Sequence, residues 1–63
     1  MTRDQLNKAT REQLEAINGI GPATAEKIVN YREEHGKYDN FDELKKVDGI
    51  KESIIHRLQE EKF

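Results

Sequence analysis

The sequence consists of two similar halves that align when it is shifted by 30 residues. The offset pairs Leu14 with Leu44, Gly19 with Gly49 and Ile20 with Ile50. Each half carries a short apolar segment, a Gly-Ile pair and a longer segment with apolar residues at helical spacing. Units of this kind cannot bury their apolar faces alone, but two copies packed together can share one core. The repeat therefore predicts a paired arrangement of two helical hairpins.

Helical periodicity predicts four principal helices, at residues 11–17, 22–34, 41–47 and 51–61. Residues 3–8 are expected to add a short turn that places Leu6 on the core. No segment alternates between polar and apolar residues as a half-buried strand does. The sequence thus predicts an all-α fold, a compact bundle of four to five helices in a single domain over residues 1–63.

Two capping patterns indicate where the short helices begin. Thr10 and Gln13 match a capping box, and Asn40 and Glu43 repeat the pattern at the equivalent positions of the second half. In each box the capping oxygen is expected to accept a hydrogen bond from the third helical amide, while the Gln or Glu side chain reaches back. The two halves are therefore expected to begin in the same way.

The composition restricts the classes of function. Hydrophobic residues make up 33% of the 63 residues, charged residues make up 38%, and there is no cysteine. A chain of this length forms one small domain with a marginal core, without a disulfide or thiolate metal site. No apolar run approaches the roughly 20 residues of a membrane span. The net charge of −2 argues against binding nucleic acid through bulk positive charge, so any such binding must depend on local geometry.

The segment Gly19-Ile20-Gly21-Pro22 has the features of a phosphate-binding turn. Glycine permits a backbone with positive φ and close approach of another molecule. Proline suits the first position of the helix that follows. The start of that helix carries free N–H groups and the positive end of the helix dipole, a combination that binds phosphate.

The apolar spacing around this turn matches a known family. The matching positions are Leu14, Ile17, Gly19-Ile20-Gly21, Ala25 and Ile28. Over about residues 6–60 the chain resembles the tandem helix-hairpin-helix family, in the form found in ComEA-type DNA-binding domains. The resemblance implies a SAM-like fold with two motifs related by a pseudo-two-fold axis, at about residues 10–34 and 40–61. It also implies binding to double-stranded DNA without sequence preference, through phosphates across the minor groove. The chain is expected to be a monomer.

The resemblance assigns roles to residues of the first hairpin. Gly19 would shape the turn, and the amides of Gly21, Ala23 and Thr24 would bind phosphate. The Thr24 hydroxyl would add a hydrogen bond, and Lys27 would supply charge from the same side. The resemblance also implies that hairpin carbonyl oxygens can hold a monovalent cation that bridges to phosphate. No other cofactor and no metal site is expected.

The second hairpin would use equivalent groups. Gly49 would shape its turn, the amides of Lys51 and Ser53 and the Ser53 hydroxyl would bind phosphate, and Arg57 would supply charge. However, Lys51 replaces the second glycine, and Glu52 stands where the first hairpin has proline. A carboxylate at this position repels phosphate. We therefore expect the first hairpin to bind phosphate better than the second.

Other residues allow two interpretations. Lys45 and Lys46 extend a basic edge toward DNA, or they form a solvated helix face. The aromatic residues Tyr31, Tyr38, Phe41 and Phe63 stack on bases or pack in the core, with core packing favoured for Tyr38 and Phe41.

An enzyme is not expected, because the chain has no zinc signature, catalytic triad or nucleotide-binding loop, and no room for a base-flipping pocket. His35 and His56 are far apart in the sequence and have no partners at metal-ligand spacing. The alternative to DNA binding is a structural or protein-docking module, or an engineered scaffold, that keeps the fold without DNA binding.

Overall fold

A computed structural model describes residues 1–62, so Phe63 lies outside the described residues. In chain order the elements are α1 (Arg3–Lys8), α2 (Arg11–Glu15), α3 (Pro22–His35), a 3₁₀ helix (Phe41–Lys46) and α4 (Glu52–Glu60). The principal extents are 25 × 22 × 21 Å. Helix α2 packs on α3, and the 3₁₀ helix packs on α4. The prediction of an all-α bundle is confirmed, with five helical elements over residues 1–62.

Helix α2 and the 3₁₀ helix are each followed by two consecutive tight turns that contain Gly19 and Gly49, respectively. In the first half, Ile17 N donates to Leu14 O (3.1 Å) and Ile20 N donates to Ile17 O (3.0 Å). The second half repeats both hydrogen bonds at the equivalent positions, at 3.0 and 3.2 Å. Because these bonds span three residues rather than four, α2 ends at Glu15 and does not continue to residue 17 as predicted. Its counterpart over residues 41–46 winds as a 3₁₀ helix instead of the predicted helix 41–47.

The capping box at Thr10 is confirmed. Its Oγ1 accepts from Gln13 N at 3.1 Å, and Gln13 Oε1 accepts from Thr10 N at 3.0 Å. The box at Asn40 is only half formed, because Asn40 Oδ1 accepts from Glu43 N (3.1 Å) while Glu43 Oε1 accepts from Asp39 N (2.8 Å). Asn40 has φ of −159°, against −79° at Thr10, and this rotation presents a different amide to the carboxylate.

The core lies between the two hairpins. Its buried residues are Leu6, Ala9, Leu14, Ile17, Ile20, Ala25, Ile28, Tyr38, Leu44, Val47, Ile55 and Leu58. They come from all five helical elements and from the turns, as the repeat predicts. The amino group of Met1 donates to Leu58 O (3.2 Å) and Gln59 O (3.0 Å), which holds the first residues against the end of α4.

Tyr38 anchors the connector between the hairpins. Its side chain is 1% exposed, and its hydroxyl donates to Ile28 O at 2.9 Å. Its backbone is held by Asn7, whose Oδ1 accepts from Tyr38 N (2.7 Å) and whose Nδ2 donates to Tyr38 O (3.0 Å). Burial raises the pKa of the Tyr38 phenol well above its usual value. Phe41 is half-buried against the core, so core packing is confirmed for Tyr38 and partial for Phe41.

Candidate nucleic-acid interface

The two hairpin turns have nearly the same backbone shape. Gly19 has φ of 91° and Gly49 has φ of 85°, in the region that L side chains rarely adopt. Gly21, in contrast, is extended, with φ of −86° and ψ of 172°. Lys51 occupies the equivalent position with φ of −98° and ψ of 161°. The lysine therefore fits the second turn without strain, and the backbone of the two turns stays alike.

The helices that follow the turns begin without side-chain caps. Helix α1, helix α2 and the 3₁₀ helix are each capped by a side chain, from Thr2, Thr10 and Asn40 respectively. Helices α3 and α4 have Gly21 and Lys51 at the N-cap and no side-chain cap bond. Their first amides therefore stay available to an external acceptor.

The open amides differ in position between the two helices. The first backbone hydrogen bond of α3 runs from Ala25 N to Gly21 O (2.9 Å), and Pro22 has no amide. The amides of Ala23 and Thr24 thus have no backbone acceptor in the described part of the chain. In α4, Ile54 N already donates to Lys51 O (3.0 Å), so the open amides are those of residues 52 and 53. Compared with the equivalent positions of α4, the open amides of α3 therefore lie one residue further from the helix start.

The structure places Lys27 and Arg57 each beside the glycine of the other hairpin. A Cβ built on Gly49 would lie 3.2 Å from Lys27 Nζ, and one built on Gly19 would lie 3.2 Å from Arg57 Nε. Each cation therefore lies beside the turn of the other hairpin, while its predicted contact with phosphate stays a prediction. Lys27 and Arg57 occupy equivalent positions in the two halves, as do the two glycines. The contacts are thus reciprocal, as two-fold symmetry between the hairpins requires.

The remaining predicted site residues lie on the surface around the turns. All residues of the predicted site are exposed except Thr24, which is half-buried. The predicted site leaves out Lys46, which lines a surface depression of about 210 Å³ beside the second turn, together with Lys27 and Asp48. Lys46 is close to Lys27 only because the two hairpins pack face to face, so the spacing along the sequence gives no signal for this neighbour.

Acidic residues near the second turn are partly compensated. Glu52 stands at the first position of α4, where its carboxylate faces the helix dipole. Lys45 Nζ lies 3.5 Å from Glu52 Oε1, and both side chains are exposed. An exposed pair of this kind contributes little stability, but it reduces the negative charge that a phosphate would meet. Lys45 is thus exposed to solvent on its helix, and it also forms an ion pair with Glu52.

The histidines and aromatic residues make local contacts. His56 Nε2 lies 2.6 Å from Glu60 Oε1, one helical turn away, and His35 Nε2 lies 3.9 Å from Glu34 Oε2. Tyr31 stacks on Tyr38 with ring centroids 5.4 Å apart. Residues 1–62 contain no cluster of three or more His, Cys, Asp or Glu side chains that could hold a metal ion. Within the same residues, no helix has the length and apolar character needed to cross a bilayer.

These features define a tandem helical-hairpin domain with two uncapped helix starts at glycine turns. The helix-hairpin-helix motif family matches residues 5–61, and the chain belongs to this family. The match covers both hairpins and most of the capped helix α1.

Named relatives share the same region. The chain is 41% identical over 54 residues to ComE operon protein 1 of Bacillus subtilis, covering 86% of this chain and 26% of that protein. It is 34% identical over 61 residues to endonuclease/exonuclease/phosphatase family domain-containing protein 1 of Rattus norvegicus, covering 97% of this chain and 11% of that protein. The resemblance to ComEA-type domains is thereby confirmed. The chain spans only about a quarter and a tenth of these two relatives.

Proposed function

We propose that the chain is a binding module for double-stranded DNA that captures backbone phosphates at its two glycine turns. The observation that carries this proposal is the selective lack of caps. Three helical elements have side-chain caps, whereas α3 and α4, which follow the turns, have none. Open amides and the positive end of the helix dipole together bind phosphate. Membership of the helix-hairpin-helix family supports nucleic acid as the source of that phosphate.

The contacts proposed here carry no base information, because backbone amides and cations bind phosphate regardless of sequence. The two turns would bind phosphates on the two strands across the minor groove, as the family resemblance implies. With few charges engaged, the dissociation constant should be on the order of 10⁻⁴–10⁻⁶ M, the range of non-specific binding. The domain would act as a monomer and bind without catalysing a reaction. Sedimentation of the free domain and incubation with supercoiled plasmid and Mg²⁺ test these two statements, and self-association or plasmid nicking would contradict them.

A monovalent cation is part of the proposal at the first turn. The carbonyl of Ile17 accepts one hydrogen bond, from Ile20 N, and retains a second lone pair. Uncharged carbonyl oxygens of this kind suit a singly charged cation, which would supply positive charge beside a bound phosphate. Binding in buffers of potassium and of tetramethylammonium at equal ionic strength would differ if the cation contributes.

Substitutions at the helix starts test the DNA proposal. Thr24→Glu and Ser53→Glu each place a carboxylate at one proposed phosphate site, and Gln59→Glu adds the same charge near the other end of α4. Titration of a labelled duplex should show weaker binding for Thr24→Glu than for Ser53→Glu, and little change for Gln59→Glu. The ranking follows from the open amide of Thr24 and from the carboxylate of Glu52 beside Ser53. Equal losses in all three variants would indicate a bulk charge effect and contradict the assigned site.

A protein-docking role is the second candidate, and the net charge of −2 favours it. DNA binding and protein docking predict contacts at different surface residues. Amide chemical-shift changes on adding duplex DNA should cluster at residues 19–24 and 49–53 if the DNA proposal is correct. The absence of changes at low salt would favour docking.

A further inference from the structure

The two cations that face the turns are not used in ion pairs within the described residues. The ion pairs of residues 1–62 involve Arg11, Lys45 and the two histidines. Lys27 and Arg57 are exposed, yet each lies directly over a glycine of the other hairpin. Their positions therefore need an explanation other than salt bridging.

Arg57 lies along the first turn rather than touching it at one point. A Cβ on Gly19 would be 3.2 Å from its Nε, 3.3 Å from its Cδ and 3.8 Å from its Cζ. The guanidinium is thus held beside Gly19, two residues before the open N-cap position at Gly21. Two residues span at most about 7 Å, so the guanidinium and the amide of Gly21, at the start of α3, can reach the same phosphate group.

We propose, on the basis of the DNA-binding function above, that each phosphate site is built from both hairpins. The first site combines the amides of Gly21, Ala23 and Thr24 with the guanidinium of Arg57. The second site combines the start of α4 with the ammonium of Lys27. Each turn glycine serves two purposes: it provides positive φ, and it leaves the space in which the opposite cation lies.

The crossed arrangement has a chemical consequence. Arginine presents a planar fork of donors that matches two phosphate oxygens, whereas lysine acts as a point charge. The fork therefore belongs to the first site, which has no carboxylate at its helix start. Lys27 belongs to the site that also carries Asp48 and Glu52. Arg57 should consequently contribute more to DNA binding than Lys27, although Arg57 belongs to the second hairpin in the sequence.

Two charge-removing variants, Arg57→Gln and Lys27→Gln, test this arrangement, with Lys37→Gln in the exposed connector as a matched control. Each ¹⁵N-labelled variant would be titrated with a short duplex while the amides of both turns are followed. We expect Arg57→Gln to diminish the shift changes at residues 21–24 and to leave those at 51–53 largely intact. Lys27→Gln should give the mirror result. Arg57→Gln should weaken binding about tenfold, Lys27→Gln less, and Lys37→Gln very little.

The salt dependence separates binding from folding effects. Loss of one phosphate contact should reduce the slope of log K against log salt by about 1 in Arg57→Gln, and Arg57→Lys should restore it. A loss of stability without a change in slope would show that Arg57 only packs on the turn. Shift changes lost from the hairpin that carries the substituted residue would overturn the crossed assignment. If the unsubstituted domain gives no shift changes with DNA, the proposed function itself fails, which is a distinct result.

Discussion

At the scale of single residues, the three glycines of the hairpins have different purposes. Gly19 and Gly49 are required by their positive φ, and both turns also receive a cation from the opposite hairpin. Gly21 has ordinary extended backbone angles, and a Cβ there would meet nothing within 4 Å. If the chain binds phosphate as proposed, the open space at Gly21 lets a phosphate approach the amides at the start of α3. Under the proposed function, stability and binding thus depend on different glycines of the same turn.

Alanine substitutions distinguish these purposes. Gly19→Ala should lower the free energy of unfolding by about 1–2 kcal/mol, because an L residue is strained at positive φ. It also forces Arg57 to move. Gly21→Ala should change stability by less than about 0.5 kcal/mol, because the loss of unfolded-state entropy offsets the poorer N-cap. Urea denaturation measures both values. Equal destabilisation by the two substitutions would contradict the separation of roles.

The buried Tyr38 should make stability sensitive to high pH. Because burial raises its pKa, the folded state keeps the phenol proton at pH values where the unfolded state releases it. The stabilisation is complete below about pH 10 and declines above it, by up to about 1.4 kcal/mol per pH unit. At pH 8, Tyr38→Phe should cost about 1 kcal/mol, through loss of the hydrogen bond to Ile28 O. Between pH 8 and 11 the variant should lose less stability than the unsubstituted domain in urea titrations, and parallel losses would contradict this origin.

At the scale of helices and turns, short sequence patterns explain where the elements begin. Thr2-Arg-Asp-Gln5 and Thr10-Arg-Glu-Gln13 are nearly identical, and both form complete capping boxes. The first pattern is sufficient to predict α1 as a full helix, although periodicity alone predicts only a short turn there. The half-formed box at Asn40 could not be predicted, because its geometry depends on the φ angle of −159° and not on residue type.

The side-chain caps should contribute stability that the uncapped helices lack. Thr10→Ala removes the hydroxyl that accepts from Gln13 N, and it should cost about 1 kcal/mol. Thr24→Ala provides the matched control, because the N-cap of α3 is Gly21 and no side chain caps that helix. The control should change the free energy of unfolding by less than about 0.5 kcal/mol, as substitutions away from caps and core usually do, while weakening DNA binding. Thermal or urea unfolding measures the free energy of unfolding of both variants. A larger loss of stability in Thr24→Ala than in Thr10→Ala would refute the assignment of caps.

At the scale of the whole molecule, the repeat predicted the pairing of the hairpins and most of the core. It did not predict which cation faces which turn, because Lys27 is near the first turn in sequence and reaches the second only through packing. Symmetry between the hairpins links the positions of the two cations, but it does not decide between the crossed and the uncrossed arrangement. A two-fold pair that brings residue 27 to residue 49 must also bring residue 57 to residue 19. The position of Lys46 beside Lys27 depends on the same packing and could not be derived from either half alone.

The net charge and the local geometry together determine how DNA binding should respond to salt. A domain with a net charge of −2 cannot bind DNA through its overall field, so the proposed binding depends on the few phosphates that the two turns would hold. With about two to four phosphates neutralised, log K against log salt should have a slope of roughly −2 to −4. Anisotropy titrations of one duplex at several salt concentrations measure this slope. Two duplexes of equal length and different sequence should give the same slope and similar affinities, since the contacts are to phosphate. A much steeper slope would require an extended basic surface, and a strong sequence preference would require base contacts, neither of which the two-turn site provides.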